Sequence, residues 1–142
     1  MKNTLLKSML VLLIVVSGIA ACSKKKESNV TVISKESLAG SYKLTAATTS
    51  GQNIYDVYLE ACQKDDIYRL NADFTAAIMD GVMKCNPPGD ETGTWNLVGN
   101  SKIVILGQEA DIVSYDGKTL VVSFMNNSSG FNLLVTATFT KQ

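Results

Sequence analysis

From Leu38 onward apolar and polar residues alternate with period two, turn residues recur about every eight to twelve positions, and no window sustains a helical stripe. That pattern predicts an all-β domain. Tyr42 to Ala46 reads as a strand with Tyr42, Leu44 and Ala46 facing inward. Ser50 to Asp65 lacks alternation and reads as a long loop with one helical turn, folded over a barrel end. Ile67–Leu70 and Phe74–Met79 form a predicted hairpin around Asn71-Ala72-Asp73. Asp80-Gly81 and Asn86-Pro87-Pro88-Gly89-Asp90 then forbid regular structure. Further strands are expected at Thr92–Leu97, at the fully apolar Ile103–Leu106, around Asp111–Val113 and at Thr119–Met125 behind the Asp116-Gly117 turn. The last carries Phe131, Leu133, Val135, Ala137 and Phe139 on one face. Eight strands joined mostly by short turns predict an antiparallel up-and-down meander that closes into a barrel, with an open sandwich as the competing architecture.

The first 21 residues differ in kind. Lys2 and Lys7 precede an apolar run from Met9 to Val16, and small residues follow, the three parts of a secretory signal. The uncharged stretch Ser8–Ala21 is shorter than the roughly 20 residues needed to cross a hydrocarbon core. Ile19-Ala20-Ala21-Cys22 resembles the bacterial lipobox. The resemblance implies cleavage before Cys22, lipidation of its thiol and acylation of the new amino terminus, an attachment that two or more acyl chains make durable. Ser23 after the cysteine resembles the sorting pattern for the outer membrane. Polar Ser23–Ser37, with Lys24, Lys25 and Lys26, reads as a flexible tether, so the expected organisation is 1–21 removed signal, 22–37 lipidated cysteine and linker, and 38–142 barrel.

Composition removes several functions. Without Lys2 and Lys7 the chain keeps 11 basic and 13 acidic residues, a net charge of −2 (11 − 13), so no basic face for nucleic acid is visible. The chain has no histidine, which takes away the commonest general base and metal ligand, and no Ser-Lys motif replaces it. No catalytic residue, cofactor or metal is expected. Cys62 and Cys85 are an even pair in an exported chain and point to a disulfide, two free thiols being the alternative.

Leu38-Ala39-Gly40-Ser41-Tyr42-Lys43-Leu44, Cys62-Gln63-Lys64-Asp65-Asp66 and Thr92-Gly93-Thr94-Trp95-Asn96-Leu97, together with the lipobox, resemble the lipocalin-like domain of bacterial envelope lipoproteins. Gly40-Ser41-Tyr42 is similar to the Gly-x-Trp opening of lipocalins with tyrosine in place of tryptophan, and Phe74 stands where the hairpin turn usually carries glycine. The resemblance implies that Cys62 and Cys85 flank the first hairpin as a bonded pair.

Asp65-Asp66 are neighbours and would point to opposite faces of a strand, so capping the entry to the hairpin explains them better than cation binding. An eight-stranded interior is either filled by side chains or holds one small ligand. Tyr42, Leu44, Trp95, Leu97, Phe124, Phe131 and Leu133 are the candidate pocket residues, with a shallow apolar cavity expected where Ala46, Ala76 and Ala137 cluster. The expected function is a membrane-anchored envelope lipoprotein that binds a small hydrophobic or lipid-like molecule. A non-catalytic interaction or inhibitor module, and a purely structural lipoprotein, are the alternatives.

Overall fold

The computed structural model describes residues 31–127, 130 and 132–142. The signal, Cys22, the first part of the tether and Phe131 lie outside the described residues.

The chain builds one antiparallel sheet that closes on itself. Its strands are β1 (Gly40–Thr49), the two-residue β2 (Gln52–Asn53), β3 (Ile67–Leu70), β4 (Thr75–Met79), β5 (Glu91–Val98), β6 (Lys102–Ile105), β7 (Gln108–Tyr115), β8 (Thr119–Asn126) and β9 (Leu133–Lys141). From β3 to β9 each strand pairs with the next, and β1 pairs with both β3 and β9, from Tyr42↔Lys141 to Thr49↔Val135. Eight strands therefore form an up-and-down barrel, and β2 is a short hairpin extension of β1. Closure leaves the long strands without an exposed edge along most of their length.

Two β-bulges move side chains away from their expected faces. The β1–β9 register shifts between Leu44 and Ala46, so Ala47 is buried and Ala46, predicted to point inward, is not. One extra residue in a strand of period two exchanges its faces. A second shift between Ile112 and Ser114 lets Ala110 and Tyr115 both be buried while Val113 is exposed. This strand, expected only around Asp111–Val113, is eight residues long, and the bulge interrupts the alternation that would have shown its length.

Phe74 was expected to open a strand and instead closes the β3–β4 turn at φ 69°, a left-handed backbone that favours glycine. Its amide donates to the Asn71 carbonyl, and Asp73 accepts from the Thr75 amide and hydroxyl. Its ring lies 5.5 Å from that of Trp95, and the Lys35 ammonium stands 4.1 Å above it. These contacts offset the backbone strain.

One end of the barrel is plugged. The linker expected as far as Ser37 turns into the one-turn helix α1 (Lys35–Leu38), with Ser34 and Ser37 forming a reciprocal cap. A four-residue helix does not persist by propensity alone. Leu38 supplies the anchor, fully buried beside Tyr42, Trp95 and Ile103. The carbonyls ending the turn are satisfied from the barrel: Tyr42 Oη donates to Leu38 O at 2.7 Å, and Tyr115 Oη and Lys141 Nζ donate to Ser37 O. Burial pushes the Tyr42 phenol far above its ordinary value, so it remains a donor. Trp95 Nε1 donates to Asn71 O at 2.8 Å, which satisfies the largest buried side chain.

The opposite end is held by covalent and polar ties. The loop after β2 contains the single turn α2 (Tyr55–Tyr58) and a 3-10 turn, Ala61–Gln63. Cys62 is bonded to Cys85, with Cα atoms 5.3 Å apart, and so joins that loop to the β4–β5 connection. The aspartate pair reinforces the join: Asp65 accepts from Met83 N at 3.0 Å and Asp66 from Gly81 N at 3.4 Å. A Cβ on Gly81 would lie 2.4 Å from the Asp65 carboxyl and its carbonyl oxygen.

Candidate functional site

The barrel interior is not filled evenly. Tyr42, Leu38, Trp95, Ile103 and Leu120 pack the plugged end, all nearly inaccessible. Toward the other end a cavity of about 260 Å³ opens, walled chiefly by Tyr68, Ile78, Ile105, Val122, Phe124 and Phe139. A narrow extension of about 30 Å³, room for only a few water molecules, continues past Leu70 and Leu120 to Tyr42. The mouth is therefore an apolar pocket with a solid floor.

Each wall residue is positioned by strand parity. Tyr68 shares a face with Leu70, Ile78 with Ala76, Ile105 with Ile103, and Phe124 with Leu120 and Val122. The Tyr68 and Phe139 rings meet edge to face at 5.0 Å, which fixes the orientation of both. Burial, and then the nearby Asp66 and Tyr55, push the Tyr68 phenol up to about 12. It is a neutral hydroxyl at any physiological pH. Glu91 and Gln108 are the other polar members of the wall.

The candidate pocket residues separate along the barrel axis. Phe124 lines the cavity, and Tyr42 lines only the narrow extension. Leu44 is buried and Leu97 is packed against the core, but neither lines either void. Trp95 belongs to the plug. Leu133 is 40% exposed at the first position of β9, where the strand has run past the core, so its assignment to the pocket is corrected. The alanine cluster is corrected as well. Neither Ala76 nor Ala137 lines this cavity or its extension, and the small residues that do are Ala77 and Ala110. Parity extended from Leu70, Ala76 and Ile103 finds Tyr68, Ile78 and Ile105 in the sequence, whereas Ala110 lies outside the strand expected there.

The Ser50–Asp65 loop stands at this end without contributing to the cavity wall. Ile54 N donates to Ala47 O at 2.9 Å, and Tyr55 and Leu59 pack against the core. Beyond the mouth, Asp80 Oδ1 accepts from Gly89 N and Asp90 accepts from Asp80 N. Desolvation raises the Asp66 carboxyl, with Asp80, Asp65 and Asp90 adding to the effect against the Gly81 hydrogen bond. Among the described residues no group of three or more His, Cys, Asp or Glu side chains is placed to hold a metal ion.

A closed eight-stranded meander with one plugged and one hollow end has the architecture of a barrel that can hold one small ligand. The lipocalin-like domain family matches residues 38–122, more than half of the 142-residue chain, and the chain belongs to that family. No curated protein matches the chain. The matched segment begins at the plug residue Leu38 and ends at Val122 in the cavity wall, and the lipocalin-like fold is generally one of binding and not of catalysis.

Proposed function

We propose that the protein is a lipid-anchored envelope lipoprotein whose barrel holds a small hydrophobic molecule at its hollow end. The observation that carries the binding is the cavity itself: about 260 Å³, open at the mouth and lined mainly by aromatic and aliphatic side chains, with Tyr68, Glu91 and Gln108 as orienting groups. Binding would remove apolar ligand surface from water at about 25 cal/mol per Å², which requires a void and not only apolar walls. The anchor rests on the lipobox at Ile19–Cys22 behind a signal-like segment, with the outer membrane, periplasmic side, as the expected location. A tethered barrel would then take up its ligand close to a bilayer.

A neutral apolar fluorophore tests the binding. Saturable uptake is expected with the wild-type barrel, and Val122→Trp, which fills the cavity from β8, should weaken it at least tenfold while the far-ultraviolet spectrum is retained. No saturable uptake by a folded wild-type barrel would overturn the ligand reading in favour of an interaction module. The anchor is tested separately with Cys22→Ser, which should abolish processing and lipid labelling. Normal processing of that variant would contradict it.

A further inference from the structure

The barrel wall parts beside the cavity. The β7–β8 ladder starts at Asp111↔Ser123, although β7 extends back to Gln108 and β8 forward to Asn126. Over those residues each strand keeps its other neighbour: Gln108–Ala110 stay paired with β6, and Phe124–Asn126 with β9. The two strands therefore diverge, leaving an open crevice of about 360 Å³ between them. Gln108, Ala110 and Phe124 line both this crevice and the interior cavity. The apolar interior and the polar cleft on the outer wall therefore adjoin at these three side chains.

The cleft has a definite charge. Lys102 Nζ lies 2.5 Å from Glu109 Oε1 and 3.2 Å from Asp111 Oδ1, so its charge is already matched. With Glu91 in the cavity wall and Arg69 beside its narrow extension, the adjoining spaces carry three carboxylates against two cations. A ligand spanning both would put its chain among Phe124, Phe139 and Val122 and its head beside an excess of acceptors. An anionic head there would face repulsion as well as losing water, whereas a cationic head would gain attraction from exposed carboxylates that salt can screen.

We propose that the ligand is a single-chain amphiphile with a cationic, amine-type head, its chain in the barrel and its head in the β7–β8 cleft, and that carboxylate-headed chains are selected against. The proposal rests on the cavity being a binding site, and the test separates the two ideas. Binding of octylammonium, octanol and octanoate to the barrel would be measured by calorimetry at low and at about 0.5 M salt, where the screening length falls well below its low-salt value. Octylammonium should bind at least fivefold more tightly than octanoate at low salt, with octanol between them and the ratio shrinking as salt rises. Glu109→Gln with Asp111→Asn should bring the ratio close to one, circular dichroism confirming the fold. If octanol binds but the heads are not distinguished, or octanoate binds as tightly as octylammonium, the head-group assignment is overturned and the cavity reading stands. If none of the three binds, both are overturned.

Discussion

The two ends of this barrel solve the problem of finishing a β-cylinder in opposite ways. At the plugged end a single helical turn carries Leu38 into the interior, and Tyr42, Tyr115 and Lys141 meet the carbonyls that the turn exposes. At the hollow end large side chains line a void instead of filling it, the strands β7 and β8 separate, and a disulfide with two aspartates ties down the connecting segments. Packing density holds the first end, and cross-links hold the second. The closing segments of the second end are fixed without placing a side chain in the cavity wall.

The largest expected effect comes from emptying the plug. Trp95→Ala removes the largest buried side chain and leaves the Asn71 carbonyl without its donor, so it should cost about 3–5 kcal/mol in urea unfolding. A loss below about 1 kcal/mol would show that the plug is not the packed end. Replacing Cys62 and Cys85 together by Ser should cost about 3 kcal/mol, the chain-entropy value for a loop of this length. Because the cavity is walled by strand residues and Leu106 of the β6–β7 turn, with none from the cross-linked loops, the disulfide-free variant should still take up an apolar probe at temperatures where it is folded. Loss of uptake in a folded variant would make the loops part of the site.

Phe74 sharpens the account of the plugged end. Phe74→Ala loses the ring contacts with Trp95 and Lys35 yet keeps a side chain at positive φ, while Phe74→Gly loses the same contacts and relieves the strain. The glycine variant should therefore be the more stable of the two by about 1 kcal/mol. The smallest effect is expected at Asp66. Its folded carboxyl holds a proton more tightly than the unfolded chain does, so ionisation costs the folded state stability as pH rises through the carboxylate range. Asp66→Asn should consequently raise the melting temperature at pH 7, and the gain should fade as pH drops below about 4, near the ordinary aspartate value. A gain that grew in acid would contradict the desolvation of this group.

Much of the architecture was legible because period-two alternation reports directly which side of a sheet is buried. Phe124, Val122 and Leu120 keep one parity through β8, and Asp116-Gly117 marks the turn before them. What alternation cannot report is a bulge. The extra residues near Thr45 and Val113 exchange faces without changing composition, which hid Ala47 and Ala110. Nor can parity tell the two ends of a strand apart in depth. Trp95 and Phe124 both point inward, but one reaches the plug and the other the mouth, because depth is set by the register between distant strands. The candidate residues therefore spread along the axis, Trp95 falling in the plug and Phe124 at the mouth.

The most direct test of a barrel with one solid and one receptive end is a methyl NMR titration with octanol. The account predicts saturable shifts for the methyls of Ile78, Ile105, Ala110 and Val122 around the mouth, and none beyond small uniform changes at Leu38 and Ile103 in the plug. Shifts centred on Leu38 and Ile103, or no saturable response at the mouth, would contradict it.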